Sequence, residues 1–169
     1  MNSQRLRIGD PAPEFTLPDQ EGKSTSLRDL LDSGCLVLYF YPKDETPGCT
    51  AEACSFRDEH EQFAEAGARV VGVSSDDVDS HRRFIEKHQL PFRLLSDRGG
   101  QLRKSFGVPK TFGLIDGRVT YVIDSNGIIR LVFNSQLRAR QHIEEALRIV
   151  RSLAPSKSAS IDGARDARR

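Results

Sequence analysis

The sequence predicts an α/β protein: a central mixed sheet with helices on both faces, preceded by a small β-hairpin extension. Three observations carry that prediction. Residues 36–41 (LVLYFY) and 69–73 (RVVGV) are apolar without alternation, the pattern of strands covered on both faces. A helical pattern follows each of them, at 50–66 and 78–88, which is the order of a parallel sheet with crossover helices. Residues 119–124 and 128–133 flank Ser125-Asn126-Gly127, and Asn-Gly readily takes the positive φ of a tight hairpin turn, so the C-terminal part is antiparallel.

The elements follow in order. Residues 10–27 are rich in Pro, Asp, Gly and Ser, and 15–17 and 24–27 flank a turn at 19–22, which makes the hairpin. Ser26 is placed to cap a short helix through Leu31. The 36–41 strand stops at Pro42. Over 50–66, Ala53, Phe56, His60, Phe63 and Ala64 recur at three- and four-residue steps on one face, and Gly67 is the expected C-cap. Asp76 or Asp77 caps the 78–88 helix, where Phe84, Ile85 and His88 share a face. Residues 90–95 (LPFRLL) are extended and 100–106 a brief helix. The closing helix, 138–153, turns Ile143, Ala146, Leu147 and Val150 inward. This is the element order of a thioredoxin-like fold.

Length and composition bound the rest. A chain of 169 residues suits one domain with a sizeable core. The apolar share of 37% is low for a globular protein, and much of the deficit lies at the end, where 155–169 has one large apolar residue, Ile161. We therefore expect a folded body over 5–153 and a disordered tail over 154–169. The 25 basic and 24 acidic residues are mixed along the chain, with no basic block for a nucleic acid. The start is polar as far as Pro11, and the longest apolar run, 35–41, is far too short to cross a membrane. A cytoplasmic protein that touches no membrane is the expectation. Three cysteines, an odd number, point to chemistry or ordinary buried thiols rather than to a disulfide framework.

The segment 39–54 (YFYPKDETPGCTAEAC) runs from a buried strand end through a polar loop into a helix. Ligands and chemistry gather at such places in α/β proteins. Cys49 stands where the helix begins. Free N–H groups and the positive end of the helix dipole favour its thiolate, which is the nucleophilic form. Thr46 lies close enough to aim a hydroxyl at the sulfur or its substrate, and Pro42 and Pro47 stiffen the loop. Cys54 follows five residues later. Across five helical residues the Cα atoms lie roughly 8–9 Å apart, whereas a disulfide needs less than about 7 Å. Two cysteines in an intact helix cannot bond, so a disulfide between them requires residues 46–56 to unwind.

Pro42-x-x-x-Thr46-x-x-Cys49 resembles the peroxidatic signature of peroxiredoxins, the AhpC/TSA-like proteins of the thioredoxin superfamily. Phe40-Tyr41-Pro42-Lys43-Asp44 and Pro47-Gly48-Cys49-Thr50-x-Glu52-Ala53-Cys54 resemble the Q-type class, also called bacterioferritin comigratory proteins. The likeness reaches back to Gly9-Asp10-x-Ala12-Pro13-x-Phe15 and forward through residues 90–97 and 117–124. The resemblance implies a peroxidatic Cys49 that attacks hydroperoxides and becomes a sulfenic acid, and a resolving Cys54 that closes a disulfide with it. It implies that Thr46 hydrogen-bonds thiolate and peroxide, that Arg118 stabilises the developing charge, and that Pro42 shields the sulfur from water. It implies a thioredoxin-like dithiol reductant, a monomer, and no metal, flavin or haem. A thiol–disulfide oxidoreductase and a non-enzymatic redox sensor or metal carrier are the rivals. The first normally uses C-x-x-C, and zinc chemistry through His60 or His81 lacks a second paired motif. Cys35 is expected to be a strand-edge core thiol, His60 a core or boundary histidine, Asp124 a turn residue, and Glu52 chiefly a helix-dipole residue.

Overall fold

The computed structural model describes residues 4–154, so the tail expected over 154–169 lies, but for Ala154, outside the described residues. The chain opens with the expected hairpin, β1 (Thr16–Pro18) and β2 (Ser24–Ser26), whose turn is closed by the buried Asp19 accepting from the N–H groups of Glu21 and Lys23. Ser26 caps α1 (Leu27–Leu31): its Oγ accepts from Asp29 N–H at 3.1 Å, and Asp29 answers through the Ser26 N–H at 3.0 Å. There follow β3 (Cys35–Phe40), α2 (Pro47–Asp58), α3 (His60–Glu65), β4 (Ala68–Ser74), α4 (Val78–His88), β5 (Arg93–Ser96) and α5 (Gln101–Phe106). The last elements are β6 (Lys110–Thr111), β7 (Ile115–Asp116), β8 (Val119–Ile123), β9 (Ile129–Asn134) and α6 (Ala139–Leu153).

Five strands form the sheet in the order β5-β4-β3-β8-β9. β3 is central, parallel to β4 with Leu38 opposite Val71, and antiparallel to β8 with Leu38 opposite Tyr121. Its alternate side chains serve two cores. Leu36, Leu38 and Phe40 meet Leu27, Leu30, Leu102 and Phe106 on one face. Val37, Tyr39 and Tyr41 meet Phe56, Phe84, Ile143 and Val150 on the other. That double cover is why the sequence shows an unbroken apolar run. This is a mixed α/β fold of the thioredoxin-like type.

Two features differ from expectation. The helix expected over 50–66 begins three residues earlier and breaks at Glu59 (φ −99, ψ 8). It starts early because Pro47, whose φ is already helical, takes the first helical position behind an extended Thr46. It breaks within the polar run 58–62, and the bend brings the rings of Phe56 and Phe63 to 5.7 Å, closer than the ~10.5 Å rise of seven residues in a straight helix. The second is the β6–β7 hairpin, whose two-residue strands are too short to carry a periodic signal. Phe112 and Gly113 at its tip both take positive φ, +52° and +70°.

Candidate active site

β8 runs antiparallel to β3 with Val119 opposite Phe40, so its start lies against the end of β3. Arg118, the residue before it, thus sits where the chain leaves β3 for α2. Cys49 is the third residue of α2 and only 1% exposed. Arg118 Nη2 donates to Cys49 Sγ at 3.3 Å, while Nη1 of the same guanidinium donates to Glu52 Oε1 at 2.8 Å. A cation donating to sulfur stabilises the anionic form over the neutral one. Gly48 eases the close approach: a Cβ there would stand 3.0 Å from Arg118 Nη2, tighter than ordinary packing.

Glu52 lies three residues after Cys49, hence on the same face of the helix, and is fully buried. Burial pushes its carboxyl up to about 7, against the downward pull of Arg118. In turn, burial alone would lower Arg118, and the charges of Glu52 and Cys49 more than reverse that. Glu52 Oε2 has no hydrogen-bond partner among the described residues. The nearest cationic candidate is His142, 3.7 Å away and also fully buried, but burial holds that imidazole down to about 4. Neutral His142 gives its one proton, on Nε2, to the Ser135 carbonyl at 2.7 Å; Nδ1 accepts from Thr120 Oγ1 at 2.8 Å and has nothing to offer Glu52.

The loop before α2 is held by a second buried cluster. Asp44 accepts from Tyr41 Oη at 2.6 Å and from Ser80 Oγ at 2.9 Å, and lies 2.7 Å from His81 Nδ1. The other nitrogen of His81 faces the Leu95 carbonyl at 3.0 Å, and the Asp44 N–H donates to Asp76 at 2.8 Å. Asp44, Asp76 and His81 offer three ligand-type atoms within 4.8 Å of one another, but these atoms already serve one another and the loop backbone. Between this anchor and α2, Glu45 takes φ +65°, a strained conformation for a side-chain-bearing residue.

Of the residues singled out from sequence, Cys49 and Arg118 are in contact. Cys54 is half-buried further along the same unbroken helix, and both sulfurs are free thiols. Thr46 caps α2, yet its hydroxyl does not reach for the sulfur: its single proton goes to the Lys43 carbonyl at 2.9 Å, which corrects that expectation. Pro42 is half-buried where β3 ends. Cys35 starts β3, five residues and roughly 17 Å from the end that bears the site. Burial, and secondarily Asp124, push its thiol up. His81 belongs to the Asp44 cluster, and His60 opens α3. The sequence reading missed Glu52 as part of the site, though its i+3 spacing from Cys49 was the available signal. It also missed His142, which comes from a distant helix with no local cue.

A buried thiol held by a guanidinium at the helix start of a thioredoxin-like fold defines a thiol-dependent peroxidase, and the comparisons with known proteins agree. The chain belongs to the AhpC/TSA family, which residues 8–132 match. It is 51% identical over 150 residues to chloroplastic peroxiredoxin Q of Sedum lineare, covering 88% of this chain and 80% of that protein. Among solved structures, peroxidoxin BcpB of Mycobacterium tuberculosis aligns with a TM-score of 0.84 at 38% identity, over 89% of this chain and all of that one. The bacterioferritin comigratory protein of Xanthomonas campestris, described for its alkyl peroxide reduction activity, aligns at 0.75 and 32% identity, over 82% and 90%. The cytoplasmic expectation is overturned by the same relatives: those at about 50% identity are named chloroplastic. That expectation rested on the polar start of the chain, which carries no information on where the protein resides. No helix among the described residues is long and apolar enough to cross a membrane.

Proposed function

We propose that this peroxidase works through an intramolecular cysteine pair. The Cys49 thiolate attacks the terminal oxygen of ROOH; the O–O bond breaks, sulfur is oxidised to sulfenic acid, and the other oxygen leaves as RO⁻, which takes a proton from water to become ROH. Arg118 stays paired with the sulfur and the developing charge. Thr46 Oγ1, its proton committed to Lys43, keeps lone pairs to accept from the peroxide O–H. Pro42 shields the sulfur from water. The first turns of α2 then unwind, the Cys54 thiol attacks the sulfenic sulfur, and a disulfide forms as water leaves. A thioredoxin-like dithiol reductant restores both thiols. Hydrogen peroxide and organic hydroperoxides both fit this chemistry, and the resolving sulfur requires no second subunit.

One observation carries this reading: a single guanidinium bridges Cys49 Sγ and Glu52 at the start of the helix that also holds Cys54. The test is turnover with a thioredoxin system. Cys49→Ser reduces it to the uncatalysed background. Cys54→Ser keeps one oxidation per chain but stops cycling. Full cycling by Cys54→Ser overturns the resolving role.

A further inference from the structure

Among the described residues five large apolar side chains stand in solvent, and four of them gather at one place. Phe112 is 93% exposed, Leu114 86% and Ile115 54%, all on the β6–β7 hairpin; Leu137, 95% exposed, lies in the turn between β9 and α6. Gln136 ties the two segments together, its amide donating to Thr111 Oγ1 at 2.6 Å and to the Asp116 carbonyl at 3.0 Å. Phe112 holds positive φ, costly for a bulky residue, to keep its ring in water. Strain and exposure together are unfavourable for the isolated chain, and clustered apolar exposure marks interaction surfaces.

We propose that this hairpin tip is the docking surface for the dithiol protein that reduces the Cys49–Cys54 disulfide, an inference that rests on the cycle given above. Position supports it. Ile115 is three residues from Arg118, at most about 11 Å along the chain, and Arg118 touches Cys49. A protein contact of ordinary size covers about 800 Å² per partner, a disc roughly 30 Å across, so a partner seated on the hairpin also covers the site.

Charge selects the partner. A cavity of about 330 Å³ behind the hairpin is lined by Arg98, Arg103, Lys104 and Lys110 against one carboxylate, Asp116, which pairs with Arg103 at 3.8 Å. Arg138 follows Leu137 and is exposed. The apolar tip is therefore edged with positive charge. A two-fold contact with a second copy would set these cations against themselves. The chain's own residues 155–169 carry four cations against two carboxylates and are disfavoured for the same reason. The surface fits a protein whose reactive thiol sits in an apolar face edged with carboxylates. Its thiolate attacks one sulfur of the disulfide, and its second thiol displaces the resulting mixed disulfide. The partner leaves oxidised and this chain regains two thiols.

The test compares wild type with Phe112→Ser/Leu114→Ser and with Lys110→Glu, all at exposed positions. Thioredoxin is the protein reductant and dithiothreitol the small one. The apolar variant is expected to raise KM for thioredoxin about tenfold or more. Its turnover with dithiothreitol and its rate of Cys49 oxidation by hydrogen peroxide stay at wild-type values. Lys110→Glu also raises KM for thioredoxin and flattens its salt dependence. The surface is refuted if the apolar variant keeps the wild-type KM for thioredoxin, or changes KM for cumene hydroperoxide instead. It is equally refuted if sedimentation shows a wild-type dimer that the variant loses, or if a chain ending at Ala154 binds thioredoxin more tightly. Wild type inactive with dithiothreitol would instead defeat the cycle, and the docking assignment with it.

Discussion

Two buried charged clusters flank the loop between β3 and α2, and they are built to opposite rules. Around Asp44, every buried side-chain oxygen and nitrogen meets a partner: Tyr41, Ser80, His81 and the Leu95 carbonyl close the set. Around Arg118, the accounts are left open. Glu52 Oε2, Arg118 Nε and the nearby Tyr39 hydroxyl are buried without partners among the described residues. A buried polar group left alone costs about 1–3 kcal/mol, so the second cluster stores strain where the first stores none. The saturated cluster fixes one end of the loop. The unsaturated one sits on the helix turn that must open for Cys49 to reach Cys54. Rigidity and readiness to open lie within a few residues of each other because the fully satisfied cluster and the partly satisfied one meet at Glu45.

The largest expected effects test that division. Arg118→Met removes the donor to the sulfur and is expected to slow reaction of the reduced protein with peroxide by about 10²–10³, read by stopped-flow. Its thermal stability changes far less, because Glu52, pushed by burial up to about 7 and so about half-protonated at pH 7, takes up a proton when its cation is gone. Asp44→Ala is expected to do the reverse. It strips the acceptor from Tyr41, Ser80 and His81 and costs about 3–5 kcal/mol in urea unfolding, while the peroxide rate of the folded protein stays within a few-fold. An Asp44→Ala protein that is stable but slow would show that the anchor belongs to the chemistry.

Next in size is a pH effect confined to the open cluster. Glu52 titrates at about 7 in the folded chain and near its ordinary value of 4.5 once exposed. Between those values the folded state binds the extra proton. Glu52 therefore opposes folding least below about pH 4.5, progressively more as pH rises, and by a constant amount above about 7. The span is about 3 kcal/mol. Glu52→Gln keeps an oxygen for Arg118 and has no charge to bury. Its stability advantage over wild type should grow from pH 5 to 7 and then level off. A difference that is flat, or that shrinks with pH, would mean that the carboxylate is held as an anion by Arg118 and is not a source of strain.

The same contrast explains what could be seen in the sequence. The strands, the Ser26 cap and the hairpin turn at Asn126-Gly127 are local signals, and periodicity and turn chemistry revealed them. Cys49 was legible because loop, proline and helix start are contiguous. Arg118 emerged only through likeness to a family, since its approach depends on β8 lying beside β3. Glu52 was visible but read as a dipole residue, because burial of a carboxylate is settled by what packs over the helix, here α6 with His142. The proton of Thr46 was misassigned for a related reason: a nearby carbonyl, Lys43, outbid the sulfur, and no spacing rule shows which acceptor a hydroxyl will choose. The hairpin at 110–116 left no periodic trace.

The third cysteine should matter least of all, because it shares the burial of Cys54 and none of the site's charge. Cys35 is a half-buried thiol like Cys54, but it lies at the opposite end of β3 from the site. Among the described residues no guanidinium donates to it, and both burial and the Asp124 carboxylate disfavour its anion. It packs against the core formed with Val37 and Phe56 and is one methylene-sized group among many. Cys35→Ser should shift stability by no more than about 1 kcal/mol and leave both the peroxide rate and cycling with thioredoxin at wild-type values. The discriminating measurement is the number of thiols lost after one equivalent of hydrogen peroxide. Two thiols should disappear in wild type and in Cys35→Ser alike, because the proposed reacting pair, Cys49 and Cys54, lies wholly within α2. Loss of only one thiol in Cys35→Ser would place the resolving sulfur at position 35. The opening of α2 would then have no chemical purpose, and the unsatisfied cluster around Arg118 would need another explanation.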